Sequence, residues 1–406
     1  MGKRVIDTGT SDNFTHRIVS DGDFLEMRTI NCASPSDKSE TWDGLTGAAW
    51  PSGHPLPLPA WGSFRGQPLR FASVERYEEL AASLELSVQQ LVQAHNYNSI
   101  GNFVRFYKEF CASGEDSLSH FYRHYEPPIT EEHYTCVGLA LELLQKLRRL
   151  DKKFPGLASG LFLASCEESI EDVDSYVSYD PCPRTVEKEH VLVALRIDIG
   201  GRLGVALLDP GYHVARVVTV MEDGSYPHTG WFTQSDQPHC RKDYGYSLTG
   251  NGKYVLWRDR RTMRDGLEEV YAALIYVGRP FLAPVSVTER RNLVYNTRSL
   301  VGRDTKGGLT ATICVKIPRE GDPVVTVSRQ TGSGRNERRK FPLSSFISMS
   351  DSDILSWVAA LAQSLNMAEV ELANLMGDLA HALLDMDFRA QLLAINDDIN
   401  YVAQDN

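Results

Sequence analysis

The chain predicts an α+β fold: a helical N-terminal lobe, an antiparallel barrel-like sheet, and a closing set of helices. Three observations carry this expectation. From His133 to Leu150 the apolar positions Val137, Leu139, Leu141, Leu143, Leu144, Leu147 and Leu150 are too dense for a surface helix and fit one buried on most of its circumference. Between His190 and about residue 329, short apolar and β-branched runs alternate with Gly, Pro and Asp turns. From Ile354 to Ile395, Leu and Ala return at helical spacing as a core-facing stripe.

Taken in order, residues 1–70 are rich in Asp, Ser, Gly and Pro and end in a proline-studded run, so they read as an extended arm along the body, docked by Trp42, Trp50 and Trp61. Residues 71–165 form the helical lobe. Ser73 or Ala72 caps a helix to about Leu84, Ser87 caps a second to about His95, and a third runs from about Ile100 to Cys111. Leu161–Ala164 reads as a buried strand. Residues 166–345 are the β-rich part. Glu167, Glu168, Glu171, Asp172 and Asp174 lack the spacing of hard metal ligands and read as a solvated acidic loop. Strands are expected at 190–197, 203–208, 213–221, 226–233, 253–258, 269–277, 309–317 and 323–329, the last two as a hairpin. The basic, glycine-containing stretch 331–340 departs from the phosphate-loop pattern and reads as an exposed hairpin or loop, with a phosphate or coenzyme A contact as the alternative. Residues 346–406 are helical, with helices to about Leu365 (capped by Asp351 or Ser352), from Ala368 to Leu384, and from Met386 to Ile399.

Composition narrows the function. A formal charge of −11 argues against general nucleic-acid or anionic-membrane binding. No run approaches the roughly 18–20 apolar residues of a spanning helix, and the first residues lack a signal-peptide core. The seven scattered cysteines suit reduced thiols in a cytoplasmic protein better than a disulfide framework. Cys182 lies beside a proline in a loop, and His239-Cys240 is too close in sequence for paired ligation. No Cys/His spacing suits zinc, so no metal site is expected.

The chemistry-bearing candidates are Cys136, His190 and Asp209. Glu126-Pro127-Pro128 cannot be helical, which leaves Thr135 as the expected N-cap and puts Cys136 in the first turn. There, free amides and the helix dipole favour a thiolate. His190 opens a strand, and Asp209 closes the next one after the turn Asp198-Ile199-Gly200-Gly201-Arg202. Two antiparallel strands so joined bring the start of the first beside the end of the second. The carboxylate would orient the imidazole, and the imidazole would deprotonate the thiol.

The order Cys, His, Asp on helix, strand, strand resembles the branch of the papain-like superfamily that holds the arylamine N-acetyltransferases and the transglutaminases. His190-Val191-Leu192-Val193 with Leu208-Asp209-Pro210-Gly211-Tyr212 is similar to the acetyltransferase pattern of a His-led strand and an Asp-x-Gly-aromatic turn. Asp209-Pro210 equally resembles the Asp-Pro of transglutaminase-like domains. The likeness covers roughly 70–290, with the motif confined to 133–213. Where the acetyltransferases carry Arg-Gly-Gly before the cysteine, this chain has Glu132-His133-Tyr134-Thr135. Where they carry Glu-x-Asn after it, it has Gly138-Leu139-Ala140, and Val137 stands where a transglutaminase has Trp.

The resemblance implies a papain-like, acetyltransferase-like cysteine enzyme that passes an acyl group through a thioester on Cys136. The donor would be acetyl-CoA or another acyl-CoA acting as co-substrate, with no tightly bound cofactor, and the acceptor an amine. Its transglutaminase side implies instead a glutamine or peptide carbonyl as donor, with cross-linking, deamidation or proteolysis as outcome. A third reading is a non-catalytic interaction protein on the same fold.

Overall fold

The computed structural model describes residues 48–63, 67–184, 190–212, 214–237, 240–331 and 336–402. Most of the expected N-terminal arm, including Trp42, lies outside these residues, as do His213, His239 and positions 332–335 of the basic stretch. The described part of the arm, 48–63, is coil packed on the body. There Trp50 meets Tyr122 edge to face with ring centroids 5.9 Å apart, and Trp61 bridges to Phe281.

After β1 (Leu69–Phe71), α1 (Val74–Ala94) runs without a break. The sequence divides it at Ser87, but that hydroxyl donates back to the Ser83 carbonyl at 2.9 Å, inside the helix. Leu80, Leu84, Val88 and Leu91 continue one buried stripe past that position. The chain then passes through β2 (Tyr97–Asn98), α2 (Ser99–Ser113) and α3 (Leu118–His124) to α4 (Cys136–Arg148). Gly114 ends α2 with a φ of 71°, the left-handed turn that glycine tolerates best. In α4, Val137, Leu139, Leu143, Leu144 and Leu147 are all buried, each worth about 1.5–3 kcal/mol relative to exposure.

Beyond the short α5 (Leu157–Gly160), the chain builds a strongly curled antiparallel sheet. Its strands are β3 (Leu161–Glu167), β4 (His190–Ile199), β5 (Arg202–Leu208), β6 (Val218–Met221), β7 (Trp231–Gln237), β8 (Cys240–Leu248), β9 (Tyr254–Met263) and β10 (Glu268–Tyr276), and the small α6 (Val173–Val177) lies between β3 and β4. The order across it is β6-β5-β4-β3-β10-β9-β8-β7, and β1 pairs in parallel with the far end of β4. The curl brings β6 against β8, and the Thr229 amide donates to Thr219 at 2.8 Å. The result is a half-barrel. Alternation along β4 divides its side chains between two cores. Val191, Val193, Leu195 and Ile197 pack against α1 and α4, while Leu192 and Ala194 face an aromatic interior with Tyr244, Tyr246 and Trp257.

The sequence assigns the later strands to the same barrel-like sheet, and the structure separates them. A turn at Pro284–Glu289 leads into α7 (Arg290–Val294), and β11 (Thr297–Arg303), β12 (Leu309–Lys316), β13 (Val324–Gln330) and β14 (Asn336–Pro342) follow. These form a second sheet in the order β14-β13-β12-β11-β2. The hairpin expected at 309–329 is present as the β12–β13 pair. Its partner beyond β11 is the two-residue β2, from the helical lobe, a pairing that strand propensity cannot reveal. The inner face of this sheet packs with α2, α3 and the C-terminal helices, the short α8 (Ser345–Ser348), α9 (Ser352–Ser364), α10 (Glu369–Leu384) and α11 (Met386–Val402), in a core of its own. Of the basic stretch, Asn336 to Lys340 lie in β14, exposed on the edge of the sheet.

The acidic segment departs from expectation only at its start, since Glu171, Asp172 and Asp174 are exposed as expected. Glu167 is the last residue of β3 and is buried, accepting a hydrogen bond from the Tyr176 hydroxyl. Glu168, half-buried, accepts from the Tyr212 hydroxyl. Neither is a solvated loop residue. Each accepts from a tyrosine that packs on an aromatic cluster, Tyr176 beside Tyr254 and Tyr276, and Tyr212 beside Trp257, where a buried phenol needs an acceptor.

Candidate active site

Cys136 opens α4. Thr135 stands before it in an extended conformation, and its Oγ1 accepts from the Val137 amide at 3.3 Å, as an N-cap does. The amide of Cys136 itself belongs to the first turn, where no intrahelical acceptor exists. Gly138 has a steric role here, since a Cβ on it would come within 2.4 Å of the Tyr134 ring, which packs over the first turn.

The half-barrel brings the other two candidates to this helix end. In the β4–β5 register Val193 faces Leu208, so Asp209 leaves β5 close to the first residues of β4. His190 Nε2 and Asp209 Oδ2 are 2.9 Å apart. The Asp209 Oδ1 accepts from the amides of Gly211 at 3.1 Å and Tyr212 at 3.0 Å, which pins the carboxylate and shapes the Asp-Pro-Gly turn. With Nε2 engaged, the other imidazole nitrogen remains for the Cys136 thiol, which is also a hydrogen-bond partner of the ring. Burial pulls the His190 imidazolium down, but Asp209, with Cys136 adding to it, more than reverses this and raises the group to about 10. A proton is therefore held on His190 throughout neutral pH.

Gly211 is where the three elements come closest. A Cβ at this position would sit 2.7 Å from His190 Cε1 and 2.9 Å from Cys136 Cβ, so only glycine allows the turn to lie against both. Tyr212 then stacks edge-on against the imidazole with ring centroids 4.2 Å apart, and the Arg303 guanidinium donates to the Pro210 carbonyl from behind. The three candidate side chains are nearly covered, with Cys136 3%, His190 2% and Asp209 7% exposed.

On the other side of Cys136 lies a group of residues that the sequence reading did not single out. Glu289 is fully buried at the end of the turn leading into α7. Thr135 Oγ1 donates to its Oε2, and Asn102 Nδ2 donates to its Oε1 at 2.7 Å. With only neutral donors to offset burial, the carboxyl is raised to about 7. Asn292, one helical turn further on, also bonds to Glu289, and its Nδ2 lies 3.9 Å from Cys136 Sγ. Its backbone carbonyl accepts from Arg298 at 2.7 Å. Tyr97 is packed in the same region, and burial, with Cys136 and Glu289 nearby, keeps its phenol neutral. The segment Thr288-Glu-Arg-Arg-Asn292 is a run of polar residues of the kind that covers surfaces, so no local pattern marked it.

The structure thus brings together Cys136, His190 and Asp209. Cys166, also buried, faces His190 in register on β3, but it lies within a strand and its Sγ is directed to the Glu167 carbonyl at 4.0 Å. Among the described residues, no group of three or more His, Cys, Asp or Glu side chains is arranged to hold a metal ion, and no helix is long and apolar enough to cross a membrane. In comparisons with family models, curated proteins and solved structures, nothing matches this chain. Any functional reading therefore rests on the geometry. A thiol at a helix N-terminus, beside an imidazole that a buried carboxylate keeps charged, is an arrangement suited to nucleophilic attack on an acyl carbon.

Proposed function

We propose that the chain is a cysteine-dependent acyltransferase, similar in its chemistry to the arylamine N-acetyltransferases, which passes an acyl group from a thioester such as acetyl-CoA to an amine. The observation that carries the reading is the His190–Asp209 contact of 2.9 Å beside Cys136, in a turn that only Gly211 permits. Cys136 Sγ attacks the thioester carbonyl while the thiol proton resides on His190. The C–S bond to coenzyme A then breaks, and the leaving thiolate takes that proton. The neutral imidazole next accepts a proton from the incoming amine as it attacks the acyl-enzyme, giving the amide and restoring the thiol pair. Asp209 holds one imidazole tautomer and compensates its charge.

Because the thiol is nearly covered, a small active ester is a better first probe than a bulky thioester. Incubation with p-nitrophenyl acetate, then with acetyl-CoA, is expected to leave an acetyl group on the Cys136 peptide by mass spectrometry. Iodoacetamide should modify Cys136 ahead of the other cysteines below neutral pH. In Cys136→Ala both signals disappear, while the thermal midpoint stays close to that of the unmodified chain. Equal reactivity of all cysteines, or strong unfolding of Cys136→Ala, would overturn the reading and leave Cys136 a packing residue. Modification by an active ester without any by acetyl-CoA, together with ammonia release from glutamine peptides, would redirect it to transglutaminase-like chemistry.

A further inference from the structure

Attack on an acyl carbon places negative charge on the carbonyl oxygen, and a competent site meets that oxygen with two donors. The amide of Cys136 supplies one by its position at the helix start. We propose that the side-chain amide of Asn292 is the second, which makes it a catalytic residue. The inference rests on the acyl-transfer reading above and deepens it.

Three observations support the assignment. The first is distance. Asn292 Nδ2 lies 3.9 Å from Cys136 Sγ, so an oxygen on the carbon bound to that sulfur can stand beside both, within the roughly 3 Å reach of an N–H donor. The second is orientation. An Asn amide aimed at an oxyanion must present nitrogen, and Glu289, an acceptor when ionised, bonds to Asn292 and favours nitrogen on that side. Rigidity is the third. Arg298 grips the Asn292 and Leu293 carbonyls at 2.7 and 2.5 Å, and Glu289 is itself held by Asn102 and by Thr135, the residue next to the nucleophile. The donor and the nucleophile are thus tied to one buried carboxylate, so their separation is set before substrate arrives.

Two reactions of the same thiol separate this role from a merely structural one. Alkylation by iodoacetamide displaces iodide from carbon and develops no oxyanion. Acetylation by p-nitrophenyl acetate forms the S–C bond through an oxyanion and then expels p-nitrophenolate. In Asn292→Ala, Cys136 alkylation is expected to stay within about twofold of the unmodified chain, while single-turnover acetylation falls about 10²–10³-fold. Asn292→Leu, close in shape but without a donor, should repeat the result, with an unchanged thermal midpoint in both variants. Loss of both reactions together would make Asn292 a support of the thiol, and retention of both would remove it from the mechanism. Retention in Asn292→Ala with loss in Tyr97→Phe would move the donor to Tyr97. Each of these three outcomes overturns the proposal. If Cys136 of the unmodified chain takes neither reagent, the acyl-transfer reading fails, and the assignment falls with it.

Discussion

Two buried carboxylates flank Cys136, and they are treated differently. Asp209, from the half-barrel, faces an imidazole and two backbone amides, so a cation and two dipoles meet its charge. Glu289, from the turn before α7, faces a hydroxyl and neutral amides, and burial raises it to about 7. Their chemistry as side chains is nearly the same, and the partners decide the outcome. A carboxylate opposite a cation creates a charged pair that stays ready at neutral pH. One among neutral donors sits near its own titration point and serves as an anchor for hydrogen bonds.

The difference predicts two windows in the stability of the fold. Both His190 and Glu289 are raised above their ordinary values, so each binds its proton more tightly when folded, and each contribution is lost as pH rises. For Glu289 the contribution is complete below about 4.5 and gone above about 7. For His190 it is complete below about 6.5 and gone above about 10. Chemical denaturation at a series of pH values should show stability falling across both windows.

The largest effect is expected from Asp209→Asn. Without the carboxylate, burial governs His190 and favours the neutral ring, so single-turnover acetylation should drop about 10³–10⁴-fold. The decline of stability between pH 6.5 and 10 should vanish as well. A variant that keeps near-normal acetylation would mean that the 2.9 Å contact is structural.

Gly211→Ala is next. The added methyl must displace either the imidazole or the Cys136 Cβ, and a shift of that size is expected to slow acetylation by about 10²-fold. Overpacking should also lower stability by about 1–3 kcal/mol. An unchanged rate would show that the turn yields and the pair does not depend on it.

The smallest effect on rate belongs to Glu289→Gln, which retains a carbonyl acceptor for Asn102 or Thr135. Acetylation should fall only several-fold, yet the stability slope between pH 4.5 and 7 should flatten while the upper window survives. If the slope is unaltered, Glu289 does not titrate in that range, and the contrast between the two carboxylates collapses.

Much of this site was legible in the residues themselves. The prolines before Thr135, the density of leucines after it, the histidine at the head of a strand and the Asp-Pro-Gly after the next are short-range features. Local rules place each on its element. The C-terminal helices were legible for the same reason, their Leu and Ala spacing being intact over three helices. The break expected at Ser87 failed because a serine can satisfy its hydroxyl inside a helix as readily as at its start.

By itself, then, the sequence determined the helix, sheet, helix order and the position of Cys136, His190 and Asp209 at element ends, since those depend on neighbours a few residues away, but it did not mark β8 or β11. Only the tertiary structure decided that β11 joins β2 and leaves the half-barrel, that Gly211 touches both His190 and Cys136, and that Glu289 and Asn292 lie beside Thr135 and Cys136. Apart from the 21-residue span between His190 and Gly211, those facts concern residues 75 to about 200 positions apart. Periodicity carries no information over such spans, because which buried surfaces meet, and which polar groups must then be paired, is settled only by packing the whole chain.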